Sequence, residues 1–552
     1  MKNWIKSGKP WIWLTAGAVS ICLLAVIGLL GLIIARGMVH FWPSDINAYQ
    51  YQDPYQNGEI VQVVGELREK EEVSLERIRD SGVELESSSD RIQRYLIKVG
   101  NRDIGGSDFR WIIKPLISGI STPKEIIVFE RLEWGNLHGD LQQLKIDGAT
   151  VAEGPGSWEA LQKQIKTTLD LHSTIRDIEK SDIGSINYAM EQLRLEKRTL
   201  ELKNGASPEA LADIQLETER LQQEYELLQN RLQGLYREIG RATITVKVST
   251  GQTVELPLSK VVRAYQPNKL SLFAKTLFYF EKVWEFLSED PREANTEGGI
   301  FPAIFGTVIM VIIMSMLATP FGVIAAIYLR EYAKQGFITR TIRIAVNNLA
   351  GVPAIVYGVF GLGFFVYFLG GSIDSLFFPE SAPAPVFGTP GLLWASLTLA
   401  LLTMPVVIVA TEEGLSRIPR SIREGSLALG ATKAETLWRT IIPMASPAIM
   451  TGMILAIARA AGEVAPLMLV GVVKLAPSLP LDGNFPFVHL DRKFMHLGFH
   501  IYDVGFQSPN IEAARPLVYA TALLLVIVIV VLNLAAIAIR NRLREKYKSL
   551  EQ

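Results

Sequence analysis

Uncharged apolar residues run unbroken over positions 11–35, give way to a charge-rich stretch, and return in long blocks after Gly299. Four later blocks, 300–329, 344–370, 391–410 and 517–539, are each long enough at ~1.5 Å per residue to cross a hydrocarbon core of ~30 Å. A fifth, 445–473, carries Arg459 and Glu463 near its middle, so the pattern predicts a mainly α membrane protein with six transmembrane helices. The first block follows Lys2, Lys6 and Lys9 and precedes Arg36 and Trp42. It exceeds the ~7–15 apolar residues of a secretory leader and reads as a retained anchor. The expected division is a short N-terminus over 1–10, helix one over 11–35, a soluble insert over 36–299, a permease-like block over 300–540 and a tail over 541–552.

Within the insert the periodicity changes twice. Segments 59–64, 94–99, 125–129, 241–248 and 253–256 are short, alternate in polarity and are separated by Gly, Asn, Asp and Ser, which predicts a β-rich domain. Between 158 and 240 the repeat lengthens to seven: Ile186, Leu193 and Leu200 in one stretch, Ile214, Leu221, Leu228 and Leu235 in the next. Asn204-Gly205 is expected to stop the first helix, and Ser207-Pro208 to cap and start the second, giving an antiparallel coiled-coil hairpin in an α+β insert. A spacer and a docking arm for a partner both fit that hairpin.

Charge then sets orientation. Arg330, Lys334, Arg340 and Arg343 follow span two; Arg417, Arg420, Arg423, Lys433 and Arg439 follow span four; Arg540, Arg542, Arg544, Lys546 and Lys548 follow span six. The loop 371–390 has no Lys or Arg. The short loops therefore place both termini in the cytoplasm and the insert outside it. With a formal net charge of −1 there is no basic surplus for nucleic acid. A single cysteine, Cys22, allows no internal disulfide. No GxxxxGK[ST] loop is present to cradle nucleotide phosphates, so the chain is expected to be no enzyme and to hold no cofactor itself.

Two stretches carry candidate chemistry. In the cytoplasmic loop 411–445, Glu424-Gly-Ser-Leu-Ala-Leu-Gly430 precedes Ala431, Thr432 and Pro443. The spacing predicts helix, glycine turn, helix, with Gly430 supplying the positive φ and Thr432 the cap. Arg459 and Glu463 stand four apart and share a helix face. Ions at bilayer depth cost ~2.5–3.5 kcal/mol each even on permissive scales, so the pair is expected to face protein or a wet pathway. A structural lock and an anion-attracting pathway element both fit it. Asn347 and Asn348 lie beside Gly351 and Pro353, which are expected to kink span three, and Thr403 precedes Met404-Pro405 in span four. His489, His496 and His500 lack metal-ligand spacing.

The loop Glu424–Gly430–Pro443 resembles the EAA motif of binding-protein-dependent ABC importer permeases, the coupling element that sits in a groove of the ATPase subunit. Gly425 and Ser426 stand where the motif has alanines, and Thr440 and Ile442 where it has isoleucine and leucine. With NNLAGVPAIVYG from Asn347, LLTMPVVIVATEEGL from Leu401 and AIARAAGEVAPLM around Arg459, the chain resembles Pst-type phosphate permeases from about residue 287 onward and in its first span. The insert resembles the extended extracytoplasmic domain of a longer branch of that family. The resemblance implies a type I importer fold in the bacterial inner membrane. It also implies a homologous second permease, two ATPase subunits that bind ATP and Mg, and an extracytoplasmic phosphate-binding protein. Glu424, Gly430, Ala431, Thr432 and Pro443 would couple to the ATPase, while Arg459, Glu463, Asn347, Asn348 and Thr403 would line the path. Competing readings are an importer of another oxyanion or small solute, and a membrane-anchored coiled-coil scaffold.

Overall fold

The computed structural model describes residues 9–56, 58–83, 85, 89–203, 207–249, 251–508 and 511–547. Asn204 and Gly205 of the expected helix break, with Lys2, Lys6 and Lys548, lie outside them. The chain divides into two units, one of residues 1–40 and 300–552, the other of residues 41–299.

The 41–299 unit is built on two antiparallel sheets. Strands β1 (Ile46–Gln52), β2 (Ile60–Ser74), β3 (Arg91–Lys98), β4 (Phe109–Ile113) and β5 (Ile117–Ser121) form one, in the order β4-β3-β2-β1-β5. The second, ordered β10-β9-β7-β6-β11 with β8 on β7, uses β6 (Ile127–Arg131), β7 (Leu137–Ile146), β8 (Ala149–Glu153), β9 (Ala242–Val248), β10 (Thr253–Pro257) and β11 (Val261–Tyr265). Alternation dictates the buried face: Ala242, Ile244, Val246 and Val248 of β9 turn inward beside Phe129, Leu137 and Leu144, as a period of two requires.

Helix α1 (Ser157–Asp177) covers this sheet through Leu161 and Ile165. It passes through a wide turn at Ile178–Asp182 into α2 (Ile183–Leu202). Helix α3 (Pro208–Ile239) starts where Ser207 Oγ accepts a hydrogen bond from Ala210 N at 3.1 Å. Leu232 and Ile239 of α3 pack on Ile175 and Ile178, with Ile183, Leu228 and Leu235 beside them. Helix α4 (Leu272–Ser288) follows, capped by Ser271, and the short ribbon β12 (Pro291–Arg292) and β13 (Glu297–Gly298) ends the unit.

The other unit has, among the described residues, six helices long and apolar enough to cross a membrane: Trp11–Val39, Phe301–Tyr332, Ala354–Phe377, Leu392–Arg417, Lys433–Gly462 and Ala514–Arg542, here spans one to six. Span four is central, with Leu399 and Ala400 meeting Met310 and Met314 of span two and Ile457, Ala460 and Ala461 of span five. Small residues set the separations. A methyl on Gly414 would lie 2.3 Å from Ala448 Cβ, and one on Gly452 2.8 Å from Ala410 Cβ, the close backbone approach that drives helix association in lipid. Span one touches span six at Gly37, against Tyr519 and Ala520, and is exposed along most of its length.

Five sequence expectations are corrected. Span three begins at Ala354 rather than 344, because Pro353 lacks an N–H and disfavours helix at the preceding residue; residues before it form a separate helix, α5 (Phe337–Leu349). Gly351 and Pro353 thus divide two helices instead of kinking one. Span five runs Lys433–Gly462 rather than 445–473, so Arg459 and Glu463 mark its end, not its middle. Span four continues to Arg417 and span five starts at Lys433, which shortens the connecting loop from 411–445 to 418–432. The first helix reaches Val39, moving the start of the insert from 36 to 41.

Candidate functional site

Between spans four and five, helix α6 (Arg420–Ala428) ends at Gly430, whose φ of +89° makes the turn. Thr432 then starts span five with a reciprocal cap. Its Oγ1 accepts from Glu435 N at 3.2 Å, and Glu435 Oε2 accepts from Thr432 N at 2.9 Å. Ser426 Oγ and Thr436 Oγ1, 2.9 Å apart, tie the two helices together. The result is a compact knob that satisfies its own backbone ends.

The knob is bolted to the spans. Arg423 donates to the carbonyls of Leu415 and Ile418, both at 2.7 Å, satisfying the C-terminal end of span four, and to Glu331 Oε1 of span two at 3.0 Å. Lys433 donates to the Glu331 carbonyl and stands 4.3 Å from the centre of the Tyr332 ring. Beneath these contacts Leu415, Ile418, Leu437 and Ile441 form an apolar cluster with Val323 and Ile327. Pro443 sits just after a wide turn at Leu437–Ile441, where the ladder already gives up the bond that proline cannot donate. The outer surface is different: Glu424, Gly425 and Gly430 are exposed, as are Leu427, Trp438 and Leu429, the last 90% exposed.

The second candidate region lies where span five ends. Glu463 is its C-cap in extended conformation (φ −80°, ψ 133°), and Arg459 Nε lies 3.5 Å from Glu463 Oε1, both side chains partly exposed. The chain then turns through Pro466 into a short helix, α7 (Leu467–Val470). Span three fits against this turn because it has no side chain there: a methyl on Gly358 would come 2.7 Å from Pro466 Cα, and one on Gly361 2.3 Å from Thr398 Oγ1. Tyr357, one residue earlier, is buried, donates to Leu349 O at 2.7 Å across the Gly351–Pro353 break, and lies within electrostatic reach of Arg459. The ion pair, the tyrosine and the break therefore meet in one place.

The profile of the family described as "Binding-protein-dependent transport system inner membrane component" matches residues 318–548, which contain the knob, the ion pair and spans three to six. A relative from Mycobacterium tuberculosis, "Phosphate transport system permease protein PstA 1", is 36% identical over 247 residues, spanning 44% of this chain and 71% of the relative. The chain belongs to the Pst-type permeases. A Methanocaldococcus jannaschii protein, "Probable phosphate transport system permease protein PstA", is 32% identical over 221 residues, 39% of this chain and 67% of the relative. Among solved structures, an inward-facing MetNI methionine ABC transporter chain aligns at 19% identity and a TM-score of 0.33, covering 44% of this chain and 94% of that one.

The Pst-type permease keeps some expected site residues together and disperses others. Glu424, Gly430, Ala431 and Thr432 share the knob, and Pro443 roots it in span five. Asn347 and Asn348 are exposed on α5, ahead of the Gly351–Pro353 break and outside span three. Thr403 is fully buried, its hydroxyl donating to Leu399 O at 2.8 Å beside Met314; it packs spans two and four and lines no surface of this chain. Four residues were missed: Glu331 and Tyr332, which brace the knob, Glu412, paired with Arg343 of α5 at 2.5 Å, and Tyr357. Acidic residues near the ends of spans two and four, each paired with an arginine of the other span's cytoplasmic loop, were the available signal.

Beyond the spans, α8 (Leu497–Tyr502) is capped by His496, whose Nδ1 accepts from Gly498 N at 3.1 Å. Burial pushes the pKa of His496 down to about 3 and that of His500 to about 4, so both imidazoles stay neutral. In the preceding loop burial would raise the Asp482 carboxyl, but hydrogen bonds from Asn484 N–H, His489 and Arg492 hold it at about 2. No group of three potential ligands among the described residues is placed to hold a metal ion.

Proposed function

We propose that this chain moves inorganic phosphate into the cytoplasm as one permease half of an ATP-driven importer, with ATP hydrolysed on separate subunits. The observation that carries the reading is the braced knob: an exposed Leu429–Gly430 tip joined rigidly to spans two, four and five. Force applied there is delivered to the helices that flank Arg459 instead of being lost in a flexible loop. The likeness to relatives named for phosphate transport supplies the substrate.

In this reading two ATPase subunits grip Glu424 to Thr432, a homologous permease completes the path, and an extracytoplasmic binding protein delivers phosphate. Both termini lie in the cytoplasm and the 41–299 unit outside it. As the ATPases close and open, the knob rocks the spans between outward and inward access. Arg459 attracts the tetrahedral anion and Glu463, at the mouth of span five, holds the guanidinium until phosphate replaces the carboxylate. No covalent step occurs.

The test is uptake of labelled phosphate by the assembled complex in proteoliposomes. Arg459→Gln is expected to insert normally and to lose uptake at least tenfold, with arsenate and sulfate as competitors to define the oxyanion. Normal phosphate uptake by a correctly inserted Arg459→Gln chain would remove Arg459 from the path. Failure of crosslinks from Ala431 to reach an ATPase subunit would remove the coupling role.

A further inference from the structure

Helix α4 (Leu272–Ser288) has two unlike faces. One is docked within its own unit: Lys275 pairs with Asp45 at 2.5 Å, Lys282 reaches Glu130 and Glu285, Arg292 reaches Glu285, and Phe278 lies 4.6 Å from the ring of Tyr265 on β11. The other presents Leu272, Phe273, Leu277, Phe280 and Trp284 at spacings of three and four, with Phe273 82% and Trp284 70% exposed. Polar groups on that side are already satisfied: Thr276 donates to Leu272 O and Ser288 to Trp284 O, both at 2.8 Å, and Glu281 pairs with Arg263 at 2.9 Å. Bulky apolar stripes of this kind are not left in water on a soluble surface.

Chain connectivity says what covers it. Both points at which the chain passes between the units lie against α4. Phe41, two residues beyond the end of span one, packs on Phe286 with ring centres 5.2 Å apart and on Tyr279 at 6.2 Å. At the other end the β12–β13 ribbon folds back, Gly299 N donating to Asp290 O at 3.1 Å. A methyl on Gly299 would fall 2.1 Å from Glu289 O and 2.8 Å from Glu285 O, so Gly299 is seated on the last turn of α4, and span two starts at Phe301. Both contacts fall on the C-terminal half of α4, which therefore lies within two residues of chain from the end of span one and from the start of span two. Its Trp, Phe and Leu face with a charged face opposite is the composition that settles at the headgroup boundary.

We propose that α4 is an interfacial helix, its Leu272–Trp284 stripe buried in the lipid leaflet from which spans one and two emerge, so that the insert is held on the membrane by a lipid contact as well as by its two covalent connections. The occupant is the bilayer, not a protein subunit. Because Cys22 is the chain's single cysteine, a Cys22→Ser background allows single spin labels at Phe273→Cys, Leu277→Cys and Phe280→Cys, with Leu227→Cys on α3, 71% exposed, as the aqueous reference. In the assembled complex in proteoliposomes, power saturation should show the three α4 labels relaxed by oxygen and shielded from nickel-EDDA, with an accessibility ratio several-fold above that of Leu227→Cys. Ratios equal to the reference would overturn the proposal by placing the stripe in water. Shielding from both relaxants would overturn it by placing a protein partner there. A normal elution profile for each labelled complex shows that the chain is folded, and the outcome is independent of which solute is carried.

Discussion

Gly430 is the residue on which the knob turns, and its constraint is purely torsional. At φ +89° with no atom within 4 Å of the position a Cβ would take, a side chain meets no clash but must adopt a backbone that costs most L-residues ~1–2 kcal/mol. Asparagine tolerates that region and valine does not. Gly430→Asn is therefore expected to support uptake close to the parent rate and Gly430→Val to lower it roughly 5–30-fold, the population change that ~1–2 kcal/mol produces. Equal effects of the two replacements in the uptake assay would show that the turn needs room rather than a left-handed backbone. The capping pair Thr432–Glu435 works beside it, and its threonine was readable from sequence because a hydroxyl two residues after a turn glycine has one obvious employment.

At the scale of elements, the junction of span three with the turn after span five sets how the ion pair is presented. A Cβ on Gly358 would stand only 2.7 Å from Pro466 Cα and 3.0 Å from its carbonyl oxygen, both backbone atoms that cannot rotate away. Gly358→Ala is expected to push the turn off span three at a cost of ~1–3 kcal/mol, and to lower uptake while leaving Arg459 and Glu463 chemically intact. A glycine-to-alanine control at Gly363, where nothing lies within 4 Å, should be silent; loss of activity in both, read by the same assay, would point to helix propensity instead of contact. This junction was not legible beforehand. Length and charge were enough to find six apolar helices and the Glu424–Gly430 turn, since both follow from backbone economy in lipid and from local φ preference. Where span three starts depended on Pro353 ending α5, and where span five stops depended on Glu463 turning extended. Neither is enough to end the apolar block in which it sits, so a count of apolar residues passed through both. That Asn347 falls on α5 outside span three, and that Thr403 is buried in span four, was hidden for the same reason: polarity inside an apolar run does not say which way a side chain faces.

At the scale of the whole chain, His138 is one of the buried groups that make the 41–299 unit sensitive to acid. The residue is 2% exposed on β7, and its backbone N–H donates to Asn101 Oδ1 at 2.8 Å. Burial, reinforced by the charges of Lys98 and Arg68, pushes its pKa from 6.5 down to about 3. A folded pKa below the unfolded one means that the unfolded chain binds more protons between those values, so stability is complete above about pH 6.5 and is lost as pH falls toward 3. The slope approaches ~1.36 kcal/mol per pH unit for one proton. Asp140 and Glu293 act in the opposite sense, because burial raises their carboxyl pKa values and the folded form then holds protons that the unfolded form has released. A comparison with His138→Gln cancels those terms. Hydrogen exchange of β7 amides in the full chain, corrected for intrinsic rates, should show protection falling from pH 6.5 to 4.5 in the parent and a flatter profile in His138→Gln, even if that variant is less stable throughout. Parallel profiles would mean that the imidazole is not held neutral, and that any acid weakening comes from carboxylates with depressed pKa values, such as Glu285.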